Sequence, residues 1–323
     1  MGVAVVTGAS AGVGRATAVA LAAHGYDVAL LARGETGLEA ACGDIEATGR
    51  RALAIPTDVG DAAQVEAAAT RAEVELGEID VWVNDAMTTV FSWFHDVTPE
   101  EFARATNVTY LGQVYGTMSA LRRMRPRDRG RIVNVGSALA FVGIPLQAAY
   151  CGAKFAVRGF TESVRAELLH DGSNVTISLV HLPAVNTPQF GWCRSKLPKQ
   201  PKPVPPVYQP EVAARAIVRS ALDGKRSRIV GSWNTGIVGA AAVAPAVVAQ
   251  YAARTAVDAQ QTDQPAAPER ASNLCEPVDR AHDAGAEGDF GDHATGVRDL
   301  SFVRSLPRAL SDLFLSARAA MRD

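Results

Sequence analysis

The stretch AAYCGAKFAV, residues 148–157, sets a tyrosine four positions before a lysine. In a helix, residues four apart lie one turn apart on the same face, so Tyr150 and Lys154 place a phenol beside an ammonium. A nearby cation favours phenolate and so tunes the acidity of the phenol. A second group of residues points to phosphate. In VVTGASAGVGRATA, Gly8, Gly12 and Gly14 fall between an apolar run and an alanine-rich helical stretch. Glycines there let backbone N–H groups approach a pyrophosphate, which sits well on a helix N-terminus. The spacing is G-x-x-x-G-x-G, a variant of the more familiar G-x-G-x-x-G.

Such residues need a scaffold, and the chain supplies one. Seven short apolar runs read as strands: Val3–Thr7, Asp27–Leu31, Ala52–Pro56, Ile79–Asn84, Arg131–Ser137, Val175–His181 and Arg228–Val230. Runs of this kind suit strands buried on both faces. Helical stretches alternate with them; DAAQVEAAATRAEVELG starts on Asp61 as an N-cap and stops at Gly77. The alternation predicts an α/β fold, a Rossmann-like, doubly wound, parallel seven-stranded sheet with helices on both faces. It occupies residues 1–230 as one domain, followed by a C-terminal extension.

The rhythm breaks at Pro183–Pro210, where KLPKQPKPVPPVYQP is too proline-rich for a helix and reads as a stiff lid past the sixth strand. Residues 231–254 read as an apolar helical segment packed on the body or a sister subunit, in preference to a membrane span. Residues 255–299 hold ten Asp or Glu against three Arg and read as a flexible acidic linker. Residues 300–323 regain helical spacing through Leu310, Leu313, Phe314, Ala317 and Met321, an amphipathic helix expected to dock on the body and not on a membrane surface.

Composition narrows the class. Of 323 residues, 48% are apolar and 20% charged, as in a soluble globular protein with a sizeable core. A net charge of −2 leaves no basic footprint for nucleic acid. Cys42, Cys151, Cys193 and Cys275 are widely spaced, the pattern of reduced thiols in a cytoplasmic protein. His24, His95 and His181 read as structural, and no cluster has metal-ligand spacing.

Taken in order, TGASAGVG, Asn107 in ATNVTYLG, Ser137 in VNVGSALA, and YCGAK resemble the short-chain dehydrogenase/reductase family over residues 1–230. The resemblance implies an oxidoreductase moving hydride between NADP(H) and a ketone or secondary alcohol, a carbonyl reductase. Tyr150 would exchange the proton at the substrate oxygen. An isolated tyrosine, with a pKa of about 10, needs help to do so near neutrality. Lys154 would provide it and bind the nicotinamide ribose, Ser137 would hydrogen-bond the substrate oxygen, and Asn107 would hold a relay water. Cofactor contacts would come from Gly8, Ser10, Gly12, Val13 and Gly14, from Asp58 and Val59, from the backbone of Asn84 and Ala86, and from Val185 and Thr187. Two positions depart from the family's Asn-Asn-Ala-Gly, which reads here Asn84-Asp85-Ala86-Met87, and Ala184 stands where glycine is usual. Enoyl reduction, epimerisation and non-catalytic NADP sensing stay open as alternatives on the same scaffold.

The cofactor form rests on LLARGE. An acidic residue at the end of the second strand would grip the ribose 2′-hydroxyl. The chain offers Arg33, which can donate charge-assisted hydrogen bonds to a 2′-phosphate. NADP(H) is therefore expected, with a bulky hydrophobic small-molecule substrate suggested by Phe190, Trp192 and Val204, and a homo-oligomeric assembly.

Overall fold

The seven apolar runs form one parallel sheet in the computed structural model, which describes residues 2–267, 270–279 and 282–296. Its strands are β1 (Val3–Thr7), β2 (Asp27–Ala32), β3 (Ala52–Pro56), β4 (Ile79–Asn84), β5 (Arg131–Ser137), β6 (Thr176–Leu182) and β7 (Ser227–Ile229). They lie in the order β7-β6-β5-β4-β1-β2-β3. The sequence places all seven to within a residue at each end, because strands covered on both faces leave unbroken apolar runs. Helices α1 (Gly12–Ala23), α2 (Glu35–Glu46) and α7 (Pro210–Asp223) cover one face, through Leu21, Leu38 and Ile217. On the other face α3 (Ala62–Leu76), α5 (Gly112–Met124) and α6 (Ala148–His170) bury Val65, Met124 and Leu168. Helix α4 (Pro99–Thr106) leads into α5 through a π-helical turn at Asn107–Leu111.

Local signals hold where side chains decide the ends. Asp61 accepts hydrogen bonds from Ala63 N at 2.8 Å and Gln64 N at 3.3 Å, and Gly77 ends α3 with φ at 113°. The strand order reverses between β1 and β4, opening a crevice beyond their carboxyl ends where a doubly wound sheet binds ligands.

The extension differs from its expected form. The apolar segment of residues 231–254 is two helices, α8 (Ser232–Val243) and α9 (Pro245–Ala259), because Pro245 cannot continue a helix and starts a new one. Helix α9 passes the expected boundary at residue 254. Beyond it, Gln261–Pro265 pairs antiparallel with Lys199–Pro201 of the proline-rich loop, where a solvated linker was expected over 255–299. An average of acidic and small residues concealed a few positions that find partners. Gln260 is fully buried, accepts from Gln147 Nε2 at 2.6 Å and donates to Pro145 O at 3.0 Å. Leu274 packs with Val90, Ala105 and Ala149. The helix expected at 300–323 lies outside the described residues. Among the described residues no helix is long and apolar enough to cross a membrane.

The buried amide pair offers a direct check. Gln260→Ala leaves the Gln147 amide and the Pro145 carbonyl short of a partner, so it should cost about 1–3 kcal/mol. A lower urea midpoint at unchanged slope is the expected result.

Candidate active site in the crevice between β1 and β4

A cavity of about 490 Å³ fills the crevice, walled by the glycine turn after β1, the ends of β2, β4 and β5, the start of α6 and the proline-rich loop. Gly8 and Gly12 have φ of 71° and 58°, a region that side-chain-bearing residues avoid. A Cβ on Gly8 would sit 2.8 Å from Ala86 Cα, and one on Gly14 would collide with the Gly8 carbonyl. The turn is thus pressed against both β4 and α1. Thr7 Oγ1 ties the two strand ends together, accepting from Asp85 N at 3.0 Å and Ala86 N at 3.1 Å.

Tyr150 and Lys154 occupy the first turns of α6 and both line this cavity. Lys154 is buried, its Nζ donating to Val135 O at 2.7 Å and standing 5.5 Å from the centre of the Tyr150 ring. Ser137, at the end of β5, hydrogen-bonds the Tyr150 hydroxyl. Its Oγ also accepts from Leu139 N at 3.1 Å. Phenol, hydroxyl and ammonium therefore meet at one point of the wall.

The charges there oppose one another. Burial pulls the Lys154 ammonium below the usual lysine range, and the Asp85 carboxylate works against that pull. Burial pushes Asp85 above the usual carboxylate range, against the Lys154 charge and a hydrogen bond from the Gly14 backbone. Tyr150 is pushed up by burial, opposed by its bond to Ser137, while Cys151 and Asp85 add to the rise. The lowering expected from Lys154 is not seen, and the phenol is held in its protonated form at neutral pH.

His181 stands behind this group. Its Nδ1 lies 3.2 Å from Ser137 O, so it carries the proton and donates to that carbonyl. Burial pulls the imidazole down to about 4, keeping it neutral, and the Phe141 ring packs on it at 4.7 Å. A Cβ on Gly136 would come within 2.7 Å of that ring nitrogen. His181 props the end of β5, as its reading as a structural histidine predicts.

Most expected cofactor residues line the cavity: Gly8, Ser10, Gly12 and Val13 of the turn, Arg33 after β2, Asp58 and Val59 after β3, Ala86 after β4, and Val185 and Thr187 after β6. Three expected residues do not. Gly14 serves the packing of α1 on β1. Asn84 is buried beneath the sheet, where it accepts from Trp82 Nε1 at 2.8 Å and donates to Asn134 Oδ1 at 2.8 Å and Thr117 Oγ1 at 3.2 Å. Asn107 is exposed at the start of the π-helical turn and is not part of the cavity wall that holds Tyr150 and Lys154. The residue turned inward there is Thr109, fully buried, accepting from Thr88 N at 2.9 Å and donating to Thr88 O at 2.7 Å. Two helical positions differ by about 200°, so an inward Thr109 turns Asn107 outward.

Around the end of the cavity walled by Gly12, Arg33 and Asp58, contacts come from residues of the extension that the sequence did not single out. Arg33 donates to Cys275 O at 2.6 Å and to Asn273 O. Arg104 donates to Asp58 Oδ2 at 2.6 Å and to Leu274 O at 3.0 Å. Gly12 N donates to Gly285 O at 3.1 Å, and Asp283 pairs with Arg15. No periodicity marks these tail residues, whose backbone carbonyls make most of the contacts. At the opposite end Phe190, Trp192 and Val204 line the wall as expected, joined by Trp233 and Ile237 of α8 and Tyr251 of α9.

Residues 2–197 match the family described as short chain dehydrogenase. The chain is 33% identical over 283 residues to an uncharacterized oxidoreductase, YxnA, of Bacillus subtilis, which covers 87% of this chain and 80% of that protein. It is 33% identical over 228 residues to a 3-dehydrosphinganine reductase of Danio rerio, covering 68% of each. Among solved structures, an alcohol dehydrogenase from the archaeon Thermococcus sibiricus, complexed with 5-hydroxy-NADP, is similar at a TM-score of 0.62 and 28% identity, covering 71% of this chain and 95% of that one.

The opposed charges generate a pH prediction. Asp85→Asn removes the anion that holds the proton on Lys154, so Lys154 should deprotonate at lower pH. The alkaline limb of the pH–rate profile should move down by about 1 pH unit. A limb that stays in place would show that the two groups do not interact.

Proposed function

This chain belongs to the short-chain dehydrogenase family, and we propose that it is a cytoplasmic NADP(H)-dependent oxidoreductase acting on a ketone or secondary alcohol. The observation that carries the reading is the convergence of Tyr150, Ser137 and Lys154 on one cavity that also contains the glycine turn. The residues present fit a dinucleotide. Helix α1 has no side-chain cap on its first turn, and Gly8, Ser10, Gly12 and Val13 of the turn line the cavity, where the Gly12 N–H is bonded to Gly285 O of the extension. Arg33 uses two of its N–H groups on tail carbonyls, which leaves three of the five for a phosphate.

NADP(H), when bound, supplies or accepts the hydride. The chain handles the proton. A protonated Tyr150 donates its hydroxyl proton to the substrate oxygen as negative charge develops there, and Ser137 hydrogen-bonds the same oxygen. Lys154 holds positive charge one helical turn away and favours the phenolate left behind. The protonated phenol is the form that carbonyl reduction requires. The 2′-phosphate form of the cofactor is supported by Arg33, with Arg104 close by, and by the NADP derivative named in the Thermococcus sibiricus structure.

The apolar wall from Phe190 to Tyr251 supports a bulky hydrophobic carbonyl, and the relative named for 3-dehydrosphinganine reduction points the same way. Exposed Met118 on α5, with Phe155 and Leu169 on α6, supports a homo-oligomer. The four cysteines are all free, in keeping with a reducing compartment.

Tyr150→Phe should lower turnover by roughly 10²–10⁴-fold while the NADPH dissociation constant stays within about threefold. Lys154→Ala should damage both. A panel of hydrophobic ketones followed by NADPH absorbance supplies the substrate for this comparison, and near-normal turnover of the phenylalanine variant would refute the assignment. Arg33→Asp should weaken NADPH binding by about tenfold or more, through loss of a charged hydrogen bond, and shift preference toward NADH. Tighter binding of NADH than NADPH to the unsubstituted protein would overturn the choice of cofactor.

A further inference from the structure

Asp279, in the C-terminal extension, ends up against the turn that follows β2. Its side chain is buried, 6% exposed, and lines the same cavity as Ser10, Arg33 and Asp58. The carboxylate stands so close to Gly34 that a Cβ there would collide with it, and a Cβ on Gly37 would meet Asp279 Oδ2 at 2.6 Å. Gly34 has φ of −85° and ψ of 120°, a conformation open to any residue, so the need for glycine comes from the carboxylate and not from the turn. Asp279 Oδ2 is buried and has no hydrogen-bond partner among the described residues. A buried carboxylate oxygen without a donor costs free energy unless a donor arrives. The nearby cation is Arg33, whose charge the carboxylate steadies while the guanidinium bonds the carbonyls of residues 273 and 275.

We propose that Asp279 is a specificity-determining residue of the cofactor site, the acceptor that reads the adenosine ribose at its 2′ position. The inference rests on the nicotinamide-dinucleotide reading above. The end of the second strand is where such a fold meets that ribose, and an acidic group there accepts from the ribose hydroxyls. In this chain β2 is followed by Arg33 and Gly34, and the extension delivers the acid from 245 residues beyond Gly34. A carboxylate only accepts, so it suits a hydroxyl donor and repels a 2′-phosphate. Arg33 does the reverse. The two side chains form an opposed pair whose balance sets the preference between NADPH and NADH, and Asp279 is the member that favours the unphosphorylated ribose.

Fluorescence titration of the full chain with NADPH and with NADH tests this. Asp279→Asn keeps the shape, removes the charge and adds a donor, so the ratio of the NADH to the NADPH dissociation constant should rise by about tenfold, the worth of one such interaction. Gly34→Ala is the independent second variant. Its methyl group must displace the carboxylate, and the ratio should move in the same direction. An unchanged ratio in both variants, with both cofactors still binding, overturns the role of Asp279 and leaves the proposed function standing. Failure of the unsubstituted protein to bind either cofactor overturns both.

Discussion

One buried hydrogen bond governs the geometry of the site: Lys154 Nζ to the carbonyl of Val135, at 2.7 Å. An ammonium inside a protein must find an acceptor, and this one finds it near the carboxyl end of β5. The bond fixes the distance between α6 and β5. It therefore sets where Tyr150, one turn earlier on the helix, meets Ser137, two residues further on the strand. His181 holds the Ser137 carbonyl from behind, and the buried amides of Asn84 and Asn134 hold β4 to β5 from below. Asp85 supplies the negative field that keeps a buried lysine charged. In the sequence Asp85 is a departure from the family's asparagine. In the fold it is the counterweight to the desolvation of Lys154.

How much of this was legible depended on whether a residue's meaning is local. The seven strands were readable because burial on both faces forces apolar runs, and the glycine turn because its glycines answer to backbone conformation at Gly8 and Gly12. The Tyr150–Lys154 pair was readable because helical spacing alone puts the two on one face. Asn107 was misread because its residue type matched while its phase did not. The π-helical turn between α4 and α5 presents Thr109 inward, and no count of residues in ATNVTYLG reveals which side the turn will bury. Asn84, expected to meet the cofactor through its backbone, ends β4 beside the crevice, and its side chain is committed to a polar network with Asn134 and Thr117.

The extension was opaque for a different reason. Composition is a sum over a segment, and 255–299 has the sum of a solvated linker. Binding and burial act on single groups. Gln260 satisfies a buried amide and a carbonyl, Leu274 fills an apolar gap, and the carbonyls of residues 273–275 are the acceptors that two arginines need. Backbone carbonyls belong to every residue type and so leave no trace in a sequence.

The glycines after β2 connect these two kinds of information. Gly34 and Gly37 read as an unremarkable turn and helix start, since neither has the positive φ that would require glycine. At Gly34 the reason lies in Asp279, which needs the space a side chain would fill, and at Gly37 in Asp279 together with Ser10. A dinucleotide domain with an acid of its own at that point would have no cause to leave the gap. Here the gap and the acid come from opposite ends of the chain, so the cofactor crevice is completed only when the extension folds back onto the sheet. The extension is then part of the binding site's construction, and the boundary between catalytic domain and appendage, clear in composition at residue 230, has no counterpart in the crevice itself.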